Sequence, residues 1–205
     1  MSTGKFSIWL FVAAVIILPV TVYGVVKWYE KKFHTLSVLG EKGHTISDFN
    51  MVNQYGEKRT IEQWEGKIVV ANFFFTHCPL VCPKMTKNLR KLQEAYKGDK
   101  EILINSFTVD PERDDPETMK MFADRYEVTE GWDFLTGDKK ELYRLARKSF
   151  LIVASDGDGG PDDFIHSELL VLVDKNKRIR GFYKGTDESQ ANLLINDIKK
   201  LKHEN

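Results

Sequence analysis

Residues 67–98 read KIVVANFFFTHCPLVCPKMTKNLRKLQEAYKG. KIVVANFFF is a near-continuous apolar run, the pattern of a central strand covered on both faces. Pro83 suits the first position of a helix, and Met85, Leu89, Leu92 and Tyr96 then recur at helical spacing until Gly98 stops the element. The turn between strand and helix carries Cys78 and Cys82, the only cysteines of the chain. A strand that ends in two thiols and opens a helix is a place for soft-metal or disulfide chemistry.

Outward from this unit, strands and helices alternate. HTISDFNMVNQYGEKRT, residues 44–60, predicts a β-hairpin around a Tyr-Gly turn. EILINSFTVD, residues 101–110, predicts a second buried strand. A helix is expected over Pro116–Tyr126 with Asp115 as its cap, then a short strand in WDFLTG. KKELYRLARKS predicts a helix with a Leu142/Leu145/Ala146 stripe. ELLVLVDKNKRIRGFYKG predicts a hairpin turning at Asp174–Lys177, and DESQANLLINDIKKLK a last helix with Leu193, Leu194, Ile198 and Leu201 inward. This order predicts an α/β sandwich of thioredoxin type, a mixed central sheet flanked by helices. The acidic stretch SDGDGGPDD, residues 155–163, reads as a flexible loop. As a calcium loop it would place Gly160 at the fifth ligand position and Ser167 at the twelfth, where a bidentate Glu belongs.

Composition bounds the rest. Lys plus Arg and Asp plus Glu both total 30 in 205 residues, so nothing suggests a nucleic-acid partner. Two closely spaced cysteines mark a site rather than a disulfide scaffold. Residues 6–26, FSIWLFVAAVIILPVTVYGVV, contain no charge. A membrane-crossing helix takes roughly 20 apolar residues, more than a signal-peptide h-region of about 7–15. The expected organisation is a tail over 1–5, a retained transmembrane anchor over 6–26, a linker over 27–43 and a domain over 44–205. Lys5 lies on one side of the anchor and Lys27, Lys31 and Lys32 on the other, so charge alone fixes the orientation poorly. Export of the domain is argued from the chemistry of the site.

That chemistry begins with spacing. Cys78 and Cys82, one helical turn apart, would place their Cβ atoms roughly 5–6 Å from each other. Two sulfurs so placed can share one ion or, with modest adjustment, form a disulfide. A thiolate at Cys82 is expected to gain from the positive end of the helix dipole. Thiolates select Cu(I) or Zn, and two thiolates with an imidazole suit copper. A redox pair is the alternative, although reductants of thioredoxin type use C-x-x-C, one residue shorter. Among the remaining soft side chains, Met85, Met119 and Met121 read as core filler. His77 should point to the opposite face from Cys78. His34 and His44 lie in or near the linker with no evident task, and Asp114 and Asp115 read as caps that shape a loop.

At these residues the chain resembles the Sco (SenC/PrrC) copper-binding proteins, over roughly residues 45–200. FFFTHCPLVCPKM resembles the family's copper motif FTHCPxxCP, NSFTVDPERDDPE its signature of a strand ending in VDPERD, and FIHSELLVLVD the segment that carries its histidine ligand. The resemblance implies a copper protein that assembles the copper centre of cytochrome c oxidase from a membrane anchor, on the extracytoplasmic side. It implies Cys78 and Cys82 as thiolate ligands, His166 as the imidazole ligand and Asp110 as a residue near the metal. The implied partners are a copper-accepting oxidase subunit and a thiol reductant. Leu80 departs from the family, which often has a polar residue there, and this bears on partner contact more than on metal binding. The alternative function is a membrane-tethered thiol–disulfide oxidoreductase or peroxide reductase using Cys78 and Cys82.

Overall fold

The computed structural model describes residues 13, 15–28, 35–152, 165 and 167–204. The chain divides into two units, Met1–Thr35 and Leu36–Asn205. In the first, helix α1 occupies residues 15–28 and leaves large apolar side chains such as Ile16, Leu18, Val22 and Val25 exposed. The anchor expected over 6–26 lies partly outside the described residues, and among those described no helix is long and apolar enough to cross a membrane.

The second unit is built on one seven-stranded sheet of order β2-β1-β5-β4-β3-β6-β7. Its strands are β1 (Asn50–Asn53), β2 (Lys58–Thr60), β3 (Ile68–Phe74), β4 (Ile102–Thr108), β5 (Trp132–Thr136), β6 (Leu169–Val173) and β7 (Ile179–Lys184). β3, β4 and β5 run parallel, while β1 pairs antiparallel with β5 and β6 antiparallel with β3. The two expected hairpins are present as β1–β2 and β6–β7. The helices are α2 (Val81–Ala95), α3 (Pro116–Arg125), α4 (Lys139–Arg144) and α5 (Glu188–His203).

All seven residues of β3 are buried, and their alternation feeds two cores. Val69, Ala71 and Phe73 join Phe49, Trp64, Phe107 and Phe150, while Ile68, Val70 and Phe74 join Met85 and Leu89 of α2, Phe122 of α3 and Leu194 and Ile198 of α5. Aromatic rings dominate the first core, with Phe73 and Phe107 stacked at 5.3 Å and Phe150 edge-on to Phe73 at 5.4 Å.

Several local expectations change. α2 begins at Val81, so Pro83 sits inside the first turn rather than at its first position, which costs nothing because those amides have no intrahelical acceptor. α4 widens into a π-turn over Leu145–Ser149, which buries Leu145, Ala146 and Arg147 together. Leu193 is 44% exposed, so only Leu194, Ile198 and Leu201 of the expected stripe face the core. Met85 and Met119 are core residues as expected, but Met121 is exposed on α3. Residues 36–39 bond to the domain: the Leu36 amide donates to Glu204 Oε1 and the Leu39 amide to the Ile179 carbonyl, each at 2.8 Å, and just beyond them His44 Nε2 donates to the Ser149 carbonyl at 2.8 Å. His44 therefore has a structural task that its position in the sequence did not suggest. The 155–163 loop and His34 lie outside the described residues.

Candidate functional site

The site forms where the β3–β4 ladder ends. Its last rung is the Val109 amide donating to the Phe74 carbonyl at 2.9 Å. The chain then turns, with the Cys78 amide donating to the Phe75 carbonyl at 3.2 Å, and enters α2 at Val81. Leu80, at the N-cap position, supplies no capping side chain. The Cys78 sulfur takes that role, accepting the Cys82 amide at 3.3 Å. Both cysteines are free.

The two thiols are unequal. Partial burial would push the Cys78 thiol up, but the amides of Cys82, Leu80 and Val81, together with the Cys82 thiol, more than offset this and hold it below the ordinary value. Cys82 is 4% exposed, and burial first, then the adjoining Cys78 sulfur and the Asp114 carboxylate, push it up to about 12. The stabilisation by helix amides expected at Cys82 thus falls on Cys78. Cys82 lies within the first turn behind apolar side chains, where desolvation outweighs the dipole.

Both cysteines line a cleft of about 480 Å³ with Phe75, Leu80, Val109 and Ser167. Ile165 and Ser167, the neighbours of His166, both line this cleft, while His166 itself lies outside the described residues. Among the described residues no three His, Cys, Asp or Glu side chains gather to hold a metal. The rim is apolar, with Leu80 68% exposed.

Asp110 follows β4, its amide donating to Thr108 Oγ1 at 2.9 Å and its carboxylate lying 3.6 Å from Arg113 Nε. His77 is exposed, with Nδ1 3.0 Å from Thr76 Oγ1. Asp114 and Asp115 do not share the capping role that the sequence suggests for both. Asp115 alone is the cap of α3, accepting the Thr118 amide at 2.8 Å, whereas Asp114 is wholly buried and accepts from Thr76 and Thr108. The signal was the doubled Asp before Pro116, since one helix start needs only one capping carboxylate.

A family model described as SCO1/SenC matches residues 38–203. This chain belongs to the SCO1/SenC family. The SCO1 protein homolog of Bacillus subtilis (strain 168) is 33% identical over 159 residues, which cover 76% of this chain and 82% of that protein. BsSco, a member of the Sco family of cytochrome c oxidase assembly proteins in which a disulfide switch has been identified, is 31% identical, with a TM-score of 0.70 over 83% of this chain and 99% of that one. The copper-bound ScoI of Bradyrhizobium japonicum is 25% identical, with a TM-score of 0.62 over 77% of this chain and 99% of that one. The mixed sheet with flanking helices described above is the thioredoxin-like fold of Sco proteins.

Proposed function

We propose that this chain is a membrane-anchored copper carrier. It binds one copper ion through Cys78, Cys82 and His166, with Asp110 beside the ligands, and supports assembly of the copper centre of cytochrome c oxidase. The observation that carries the reading is the convergence of both free thiols on one cleft whose lining also includes Ile165 and Ser167. Two sulfurs and an imidazole are a soft donor set that suits Cu(I). The copper-bound relative, and a relative that belongs to an oxidase assembly family, support the cargo and its destination. The uncharged run over 6–26 and the exposed apolar side chains of α1 support an anchor, followed by a linker and an extracytoplasmic domain. There the pair needs a thiol reductant to stay loadable, because a disulfide removes both thiolate donors.

The inequality of the thiols favours a second reading, a thiol–disulfide oxidoreductase or peroxide reductase. Cys78 would attack and the buried Cys82 would resolve. One experiment separates the two: the reduced full chain in detergent micelles is titrated anaerobically with Cu(I) against a coloured chelator. The expected result is one copper per chain, with affinity at least tenfold weaker in His166→Ala while dithiol exchange persists. Unchanged affinity in His166→Ala removes that residue from the ligand set. No uptake by a chain whose thiols remain free moves the assignment to the exchange reaction.

A further inference from the structure

Beyond Phe74 the backbone ladder between β3 and β4 is finished, yet Thr76 is not left to solvent. Its amide lies 3.1 Å from Asp114 Oδ2 and 3.3 Å from Oδ1, and its hydroxyl donates to Oδ1 at 2.5 Å. Thr108, paired with Phe74 at the end of β4, donates its hydroxyl to Oδ2 at 2.5 Å. The carboxylate therefore acts as one more rung, made by a side chain, across the mouth of the two central strands. It is delivered there by a single helical turn, in which the Asp114 amide donates to the Asp110 carbonyl at 2.9 Å. The carboxyl group is fully buried, and among the described residues all its hydrogen-bond donors are neutral. Among the described residues no cation pairs with it, and burying a carboxylate on neutral donors alone is costly unless the geometry it imposes is needed.

We propose that Asp114 is a positioning residue for the dithiol site. It pins Thr76, two residues before Cys78, in line with the sheet, so that the Cys78 sulfur is presented to the first-turn amides of α2 and held beside Cys82. This rests on the copper and thiol reading of the pair. It adds a residue that contacts neither sulfur as donor or acceptor. An amide in place of the carboxylate has one acceptor oxygen where two are used, so Asp114→Asn leaves a donor of Thr76 or Thr108 facing an NH₂ group.

The test uses the reduced full chain in micelles with two readouts, Cu(I) affinity by chelator competition and the dithiol–disulfide equilibrium against glutathione. Loss of an outer hydrogen bond to a metal site typically weakens binding about 10–100-fold. Asp114→Asn is expected to show that loss. It should also shift the glutathione equilibrium about tenfold toward the dithiol, because a loosened turn lowers the effective concentration of one thiol at the other. Thr76→Val should reproduce both changes with the carboxylate intact, and Thr76→Ser should keep both at the parent values. Asp115→Ala, which removes the neighbouring helix cap, should lower the urea midpoint and move neither readout. If Asp114→Asn and Thr76→Val leave both readouts within twofold of the parent, the assignment is overturned. It is equally overturned if Asp115→Ala moves them as far, since the effect then follows stability alone. Should the chain bind no copper, the glutathione equilibrium still decides the role of Asp114 by itself.

Discussion

Cys78 and Cys82 carry the same functional group and have opposite chemistry. The difference lies in what surrounds each sulfur: backbone amides at Cys78, apolar side chains and negative neighbours at Cys82. Cys82 keeps its proton up to about 12, so a cation captured by both sulfurs must expel it. Cu(I) affinity is therefore expected to rise at least tenfold per pH unit through pH 7–9, as measured by chelator competition at three pH values. A flat profile would exclude Cys82 as a thiolate ligand. The pair itself was legible in the sequence, because nothing else explains two close cysteines between a buried strand and a helix. Their roles were not, because burial depends on residues distant in sequence, among them the core around Phe74 and the carboxylate of Asp114.

Strands and helices were largely legible because each has a periodic face to bury. Their ends were less so. α2 starts before Pro83, since its first amides are satisfied by a sulfur rather than by a conventional cap. The β6–β7 turn was expected at Asp174–Lys177, but not that Lys177 would adopt a φ of 62°. That conformation costs an L-residue about 1–2 kcal/mol, and glycine returns about 0.5–1 kcal/mol of the relief through its freer unfolded chain. Lys177→Gly should therefore stabilise the protein by about 0.5–1 kcal/mol, seen as a higher urea midpoint at unchanged m-value. A lower midpoint would mean that the Lys177 side chain contributes more than its backbone costs.

Arg180 joins parts of the domain that lie far apart in sequence. Its guanidinium donates to Asp174 Oδ2 at 2.9 Å and to the Ser37 carbonyl at 3.3 Å, and it also reaches the Leu36 carbonyl and the Glu204 carboxylate. Burial alone would raise the Asp174 carboxyl, but its hydrogen bonds from Arg178 and Arg180, with the local amides, hold it below the usual value. A lowered carboxyl pKa stabilises the fold above the unfolded value of about 3.9, and this is lost as pH falls through the lower folded value. The urea midpoint of the parent should hold from pH 7 to about 5 and fall below about 4. Arg180→Ala should cost about 3 kcal/mol at pH 7, the lower end for a broken buried pair because Arg178 remains beside Asp174. The penalty should shrink at pH 3, below the unfolded value, where the unfolded carboxyl takes up a proton and part of the pair's contribution is lost. A penalty equal at both pH values would show that Arg180 acts by packing alone.

Local patterns in the chain were sufficient for the alternation of strands and helices, the two hairpins and the thiol pair, because spacing along the chain is itself the physical signal for each. The order of the strands, the exchange of roles between Cys78 and Cys82 and the buried rung at Asp114 came only with the folded domain. Each depends on which groups are withdrawn from water together, and that is decided by contacts between segments that no local pattern encodes.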